Sequence, residues 1–398
     1  MEPSTETVVK PPLYLGPLDW FRKNLFSTWY NALLTVVAVV FVFYVLRSVF
    51  SWVFFAANWD PIIHSPKLFA VGQYPPDQLW RPGAIVLMVS LLMGVSWRVW
   101  GGTVRTFALV LAVALGVVGL LPFRMALPLR LYFLAHPALV ALGYLLGRLV
   151  VRSVWVMLAW LLSFVVTIFL LSGLQGVSWL PKVETGLWGG LLLTFLLALV
   201  GIVASFPIGV ALALGRRSSL PVVKVMCILF IELIRGVPLV TLLFMASIIL
   251  PLFLPENLRI DRVLRAMAGM TLFAAAYMAE NVRGGLQAIS RGQEEAAKAL
   301  GLTGFQTMTF IILPQALRAV IPAIVGQFIA LFMDTTLAVI VGLVELLAVG
   351  KTVLQSNPDW LLLDMEVFVF IAAIFWVFTF SMSYASRRLE TALGVGER

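Results

Sequence analysis

The sequence predicts an all-α fold, a polytopic transmembrane helical bundle, and three observations carry that expectation. Of the 398 residues, 61% are hydrophobic and only 12% are charged, against roughly 25% charged in soluble domains. The mean hydropathy is +1.02. The apolar residues fall in runs of about 20 between short polar loops, the length of helix that crosses a bilayer core. The net charge of +9 belongs with this class, because excess Lys and Arg mark the cytoplasmic loops of membrane proteins. It is therefore no signal for nucleic acid. One cysteine, Cys227, excludes an internal disulfide, and His64 and His136 lack ligand-like spacing, so no metal site is expected.

Residues 1–30 read as a cytoplasmic N-terminal tail. The tail is polar and holds prolines; no short apolar core follows a basic start, so it is not a cleavable signal. A first span is expected at about 31–53, with Arg47 able to snorkel. Residues 55–80 are rich in Trp, Tyr, Pro and Asp and read as an external loop with interfacial aromatics. Further runs fall at about 83–97, 104–122, 132–148 and 154–174. The first of these is short for a full crossing and is expected to be tilted or partial. Arg124 and Arg130 fall outside on this topology, against the charge rule, which leaves the span count between 100 and 150 open. An extra block of about 3–5 helices is thus expected over 31–184.

A core block follows over 185–390, with five spans at about 187–215, 222–254, 262–285, 317–346 and 363–386, and a C-terminal tail at 391–398. Arg216, Arg217 and Lys224 lie between the first two of these spans. Arg283, Arg291 and Lys298 lie between the third and fourth, and Arg387 and Arg388 follow the fifth. If each run crosses once, these places share one side, and that side is cytoplasmic. Both termini then face the cytoplasm.

Residues 293–315 (QEEAAKALGLTGFQTMTFIILPQ) stand out as a polar, helix-forming segment in this apolar chain. A helix is expected from Glu294, Glu295, Ala296, Ala297 and Leu300, stopping at Gly301. Thr303 is placed to cap a second helix, and Pro314 is expected to end the segment. A rigid helix fixed by a glycine turn to a membrane helix can pass a partner's motion into the bilayer.

The spacing Glu295-Ala296-Ala297, Gly301, Ile311, Leu313, Pro314 resembles the signature loop of permease subunits of ATP-binding-cassette (ABC) importers. The likeness extends over 187–346, through WGGLLLTF (188–195), IELIRGVPLVTLLF (231–244), AAYMAENVRGGLQAISRGQEEAAKALG (275–301) and DTTLAVIVG (334–342). Over this range the chain resembles the polar amino-acid permease branch of that family, the one that handles histidine, glutamine, glutamate and arginine-type substrates. The long N-terminal block resembles the general L-amino-acid permeases. The resemblance implies a type I ABC importer permease core with extra N-terminal helices, and a coupling helix within 286–316 that docks on an ATPase. It also implies a bacterial inner-membrane location. The implied partners are an ABC ATPase homodimer that holds the ATP and magnesium, a second homologous permease, a periplasmic amino-acid-binding protein, and an L-amino-acid substrate. No cofactor is expected on this chain. One departure is visible: many relatives carry lysine where this chain has Met333, so the sign of the substrate does not carry over.

Ionisable residues inside apolar runs are costly and usually functional. Glu232 and Arg235 lie three apart near the middle of 222–254 and precede Gly236 and Pro238, so they are expected to line a path, or else to tie helices together. Asp334, Thr335 and Thr336, mid-span in the fourth core run, are expected in the same path. Glu280 and Arg283 repeat the three-residue spacing nearer the cytoplasmic end. With Leu313 and Pro314, they are expected to support the coupling loop. The segment ELLAVGKT (345–352) ends like a phosphate loop but has Glu345 where the motif needs glycine. With no catalytic constellation present, the chain is expected to be no enzyme. The alternative is an independent ion-coupled amino-acid transporter or channel; it explains the intramembrane charges but not the loop spacing.

Overall fold

The computed structural model describes residues 16–121, 126–150, 152–255 and 259–394. Most of the N-terminal tail, Arg124 and the end of the C-terminal tail lie outside them. The chain divides into two compact units, Met1–Trp59 and Asp60–Arg398.

In the first unit, α1 (Pro17–Asn24) leads to α2 (Trp29–Ser51). Thr28 caps α2 by accepting from the Asn31 N–H. The helix runs into a π-helical turn, Trp52–Ala56, and the Trp59 indole donates to Val53 O at 2.9 Å. No residue of α2 is buried within the protein. A helix apolar on every side is suited to lipid contact around its whole circumference.

The second unit opens with two short helices, α3 (Asp60–His64) and α4 (Pro66–Val71), followed by α5 (Trp80–Trp100), α6 (Gly102–Leu120), α7 (Leu127–Leu146) and α8 (Ser153–Ser172). The run at 83–97 is no partial span: α5 has 21 residues, about 32 Å of helix. Its polar first turn hid its length, because Arg81 lies inside it and is fully buried. The Arg81 Nη2 donates to Pro181 O at 2.9 Å. Nη1 reaches the Leu170 carbonyl at 3.5 Å, in the last turn of α8, where the helix dipole favours a cation. α5 and α7 touch backbone to backbone. A Cβ on Gly94 would stand 2.1 Å from Val140 O, and one on Gly143 would stand 2.1 Å from Leu91 O. Close approach through small residues is how membrane helices gain packing without a hydrophobic drive.

The remaining elements are α9 (Gly190–Gly215), α10 (Pro221–Arg235), α11 (Leu239–Phe244), α12 (Arg262–Ala288), α13 (Arg291–Ala299), α14 (Gly304–Gln306), α15 (Leu313–Ala319), α16 (Ile321–Asp334), α17 (Leu346–Gln355) and α18 (Asp364–Ala392). α12 is the centre: 14 of its 27 residues are buried. It packs along α9, with Leu193, Leu197, Met270, Ala274 and Leu331 in one apolar cluster, and Ala213, Met278, Val282, Ile312 and Ala316 in a second.

Two expected spans are broken. The run 222–254 is two helical pieces bent by 106° at Gly236–Pro238; proline cannot continue the ladder of α10. The run 317–346 is α15, a break at Val320, α16, and a 3₁₀ stretch Thr335–Val341 that ends at Gly342. Among the described residues, eight helices are long and apolar enough to cross a membrane, or nine if the bent pair counts as one. No sheet forms among them; isolated bridges join Leu174 to Pro181 and Gly190 to Glu345.

The phosphate-loop likeness has no structural counterpart. Glu345 is fully buried and caps α17, accepting from the Leu347 and Ala348 N–H groups at 2.8 and 2.9 Å. Burial pushes its carboxyl up to about 7. Gly350 and Lys351 lie within the helix, not in a phosphate-cradling loop.

Candidate functional site

The polar segment folds into a hinged lever. α13 forms over Arg291–Ala299, and it stops because Gly301 takes φ = +75°. The Gly301 N–H donates to Lys298 O at 2.9 Å and the Leu302 N–H to Ala297 O at 3.1 Å. This pair of bonds satisfies the last carbonyls of a helix and needs a left-handed residue after its end. Thr303 then starts the next helix with a capping box: its hydroxyl accepts from the Gln306 N–H, and the Gln306 side chain accepts from the Thr303 N–H.

Pro314 does not end this segment. The helix continues from Gly304 through a π-helical turn, Thr307–Ile312, into α15. The Leu313 N–H donates to Met308 O, five residues back. Pro314 sits in the first turn of α15, where its missing N–H leaves the ladder intact. The Gln315 amide donates to Ile311 O at 2.8 Å and to Gln293 Oε1 at 3.2 Å. That second bond ties the start of α13 to α15.

Among the expected docking residues, Glu295, Ala296, Leu300 and Gly301 are exposed, and Glu294 is half-buried. Ala297 is buried. Leu300 and Phe305 are 80% and 77% exposed, two large apolar side chains flanking the Gly301 turn with no cover. Lys298 donates to Glu294 at 2.8 Å and holds its carboxyl below the usual carboxylate range. Leu313 is half-buried and Pro314 is exposed.

Beside the lever lies a charge network. Glu232 and Arg235 do not pair with each other. Glu232 accepts from Arg216 at 3.0 Å, and Arg235 stands 3.6 Å from Glu280. Both lie at the end of α10, before the bend, and not mid-span. Glu280 also meets Arg216 at 3.6 Å and pairs with Arg283 one helical turn on. The Arg235 guanidinium lies 5.5 Å over the Tyr277 ring. Three arginines from α10, α12 and the end of α9 thus surround two carboxylates. Next to them a cavity of about 520 Å³ is lined by Arg216, Arg217, Arg283, Arg291 and Glu294. The lever and the network touch at Gly285. A Cβ there would stand 2.5 Å from Ala316 O and 2.9 Å from Val320 Cγ1, so α12 and α15 meet without an intervening side chain.

The other expected path residues stand apart from this network. Gly236 and Pro238 are exposed at the bend. Asp334 ends α16, half-buried, and its side chain makes no hydrogen bond or ion pair among the described residues. Thr335 is buried and donates to Phe332 O at 2.7 Å; Thr336 donates to Met333 O at 2.9 Å. Both hydroxyl protons are thus spent on their own helix. Arg216, Gln293 and Gln315 were not singled out from the sequence. Their partners lie 16 to 64 residues away, and helical periodicity does not reach that far.

A comparison with protein families matches residues 205–395 to the binding-protein-dependent transport system inner membrane component. The inner membrane amino-acid ABC transporter permease protein YhdY of Escherichia coli (strain K12) is 38% identical over 95% of this chain and 93% of its own. The glutamate/glutamine/aspartate/asparagine transport system permease protein BztC of Rhodobacter capsulatus is 35% identical over 96% and 95%. A solved structure described as an amino acid ABC transporter with histidines covers 51% of this chain and 92% of its own, at 28% identity and a TM-score of 0.46. With its multi-pass apolar bundle, and on full-length identity above the level that fixes kinship, the chain belongs to the inner membrane components of binding-protein-dependent transport systems.

Proposed function

We propose that the chain is the permease subunit of an ATP-driven importer of L-amino acids. The reading rests on the hinged lever and on relatives whose names describe amino-acid transport. In this reading the core is residues 185–390, preceded by an extra helical block over 31–184. Both termini face the cytoplasm. The chain works with a homodimeric ABC ATPase, a second homologous permease and a periplasmic amino-acid-binding protein. ATP and magnesium stay on the ATPase; this chain binds neither and is not itself the enzyme.

The observation that carries the reading is the lever. α13 presents Glu294, Glu295 and Ala296, and the large apolar Leu300 follows, exposed, at its end. α13 packs against the π-helical turn, and its small Ala297 is buried. Closure of the ATPase pair moves α13. The capped Gly301 turn and the Gln293–Gln315 bond pass that movement to α15, and the Gly285–Ala316 contact passes it to α12. The network of Glu280, Arg283, Arg216, Glu232 and Arg235 keeps α9, α10 and α12 together while they move. The bend at Gly236–Pro238 and the end of α16 at Asp334, Thr335 and Thr336 are the parts of the path assigned to meet the amino acid. A conformational change of this kind needs two states that the ATPase binds differently.

The experiment is co-expression with an ATPase, a second permease and a secreted binding protein, followed by purification through a tag on this chain. The ATPase is expected to co-purify, and proteoliposomes of the complex are expected to take up an L-amino acid only with ATP inside and binding protein outside. Uptake by this chain alone, driven by an ion gradient, would overturn the proposal.

A further inference from the structure

α12 is about 40 Å long by its 27 residues, and its two ends line two separate cavities. The C-terminal end lines the arginine-rich cavity beside the lever. The N-terminal end lines a second cavity, of about 580 Å³, within the 300–1,000 Å³ typical of small-molecule sites. Four pieces of chain converge there: the end of α8 at Ser172, the loop 182–188 that leads on to α9, the start of α12, and the turn 342–344 after the 3₁₀ stretch.

The convergence is built, not accidental. Asp261 caps α12, accepting from the Val263 N–H at 2.8 Å with Oδ1, while its Oδ2 accepts from Thr185 Oγ1. Its carboxylate is fully used and pins the loop to the helix. Gly190 N–H donates to Val344 O at 2.9 Å, which pins the same loop to the turn. Gly342 takes φ = +77° and leaves room for the Arg262 guanidinium, which would stand 3.1 Å from a Cβ there.

What remains in the lining is unspent. Lys182, Glu184 and Arg262 line the cavity, and their side chains make no hydrogen bond or ion pair among the described residues. Trp188 lines it too, is 4% exposed, and its indole N–H is buried without an acceptor. An orphaned buried donor is costly, so its retention points to an acceptor supplied from outside. Two cations and a neutral donor suit a carboxylate, and one carboxylate suits an ammonium.

We infer that this cavity is a binding site for a free L-α-amino acid, at the end of the permease remote from the lever. Arg262, Lys182 and the Trp188 indole hold the α-carboxylate, and Glu184 holds the α-ammonium. The site rests on the proposed amino-acid import and adds to it a stop between release from the binding protein and entry to the path. It also assigns a role to the loop that links the N-terminal block to the core.

The test uses the purified complex with its partner permease and ATPase, without nucleotide or binding protein. The probes are radiolabelled L-glutamate and glutarate, which lacks the amino group. R262Q is expected to weaken both about tenfold, the size of one lost charge-assisted hydrogen bond. E184Q is expected to weaken L-glutamate and to leave glutarate unchanged. W188F keeps the ring, removes the donor, and is expected to weaken both about fivefold. No measurable L-glutamate binding by the wild type, or equal binding by all three variants, overturns the site. A parallel capture assay with loaded binding protein adds a further arm. Variants that lose capture but bind free L-glutamate as the wild type does make this a protein-docking surface and overturn the proposal. If the wild-type complex imports no amino acid into proteoliposomes, the reading beneath fails; if it imports and the variants bind normally, the site alone fails.

Discussion

Replacing Gly285 with alanine tests whether the lever and α12 move as one. The added Cβ would lie 2.5 Å from the Ala316 carbonyl oxygen, 2.9 Å from Val320 Cγ1 and 3.1 Å from the Ala316 carbonyl carbon. The nearest obstacle is backbone, so no rotamer change relieves it. α15 has to retreat by roughly 0.5–1 Å, which in a packed interior costs about 1–3 kcal/mol. Alanine also gains about 1 kcal/mol over glycine as a helix former. Gly284 removes that ambiguity: a Cβ there meets nothing within 4 Å, so G284A collects the helix gain alone. Subtracting one variant from the other leaves the steric term. In thermal unfolding of the purified complex, G285A is expected to fall below G284A by that 1–3 kcal/mol. In proteoliposomes it is expected to keep hydrolysing ATP while transporting fewer substrate molecules per ATP. Equal stability and equal coupling in the two variants would refute the reasoning, because the contact would then carry neither packing nor movement.

Four further outcomes follow from the same geometry. G301V places a β-branched residue at φ = +75°, at a cost of about 1–2 kcal/mol; uptake per ATP is expected to drop while G301N, which tolerates that conformation, stays near wild type. E280Q removes the carboxylate that meets Arg216, Arg235 and Arg283 and is expected to lower the stability of the complex by about 1–2 kcal/mol, whereas E232Q, with a side chain 53% exposed and a single bridge, is expected to change it little on thermal unfolding. The Glu345 carboxyl, pushed up to about 7 by burial, binds a proton in the folded state that the unfolded chain releases near pH 4.5; stability is therefore fully present below about 4.5 and falls by about 1.4 kcal/mol per pH unit up to about 7, a slope that E345Q is expected to flatten in unfolding curves across that range. D334A is expected to change amino-acid uptake or preference while leaving ATPase co-purification intact; unchanged kinetics for every amino acid tested would take Asp334 out of the path.

The helices and the lever were legible because their signals are local. Apolar run lengths place α9 and α18 within a few residues, and the glycine stop at Gly301 and the Thr303 cap are both read from single positions. The failures have one physical origin each. Hydropathy averages over a window, so it passed over the bend at Gly236–Pro238 and joined two helices that diverge by 106°. It also shortened α5, since Arg81 counts as polar even though it is buried on the carbonyls of Leu170 and Pro181. Residue spacing suggested that Glu232 pairs with Arg235 on one helix face. The observed partners, Arg216 and Glu280, come from neighbouring helices, and only the packing of α9, α10 and α12 brings them within reach. Pro314 looked like a stop because a proline inside a regular helix removes a bond; the π-helical turn before it shifts the pattern and keeps the rod continuous.

The central helix bears on how the molecule is assembled. α12 is not among the segments apolar enough to enter a bilayer by composition, yet 14 of its 27 residues are buried. Its alanines, glycines and methionines gain more from α9 than from lipid chains. Besides Arg283 on the same helix, its Glu280 finds counter-charges on segments made before it, at Arg216 and Arg235. During synthesis those earlier segments emerge first and offer a ready groove and ready partners. On the proposed five-span core, α12 would enter the membrane as a guest of helices already in place. A lesion in α9 or α10 would consequently appear first as a failure to integrate their successor, before any fault in transport.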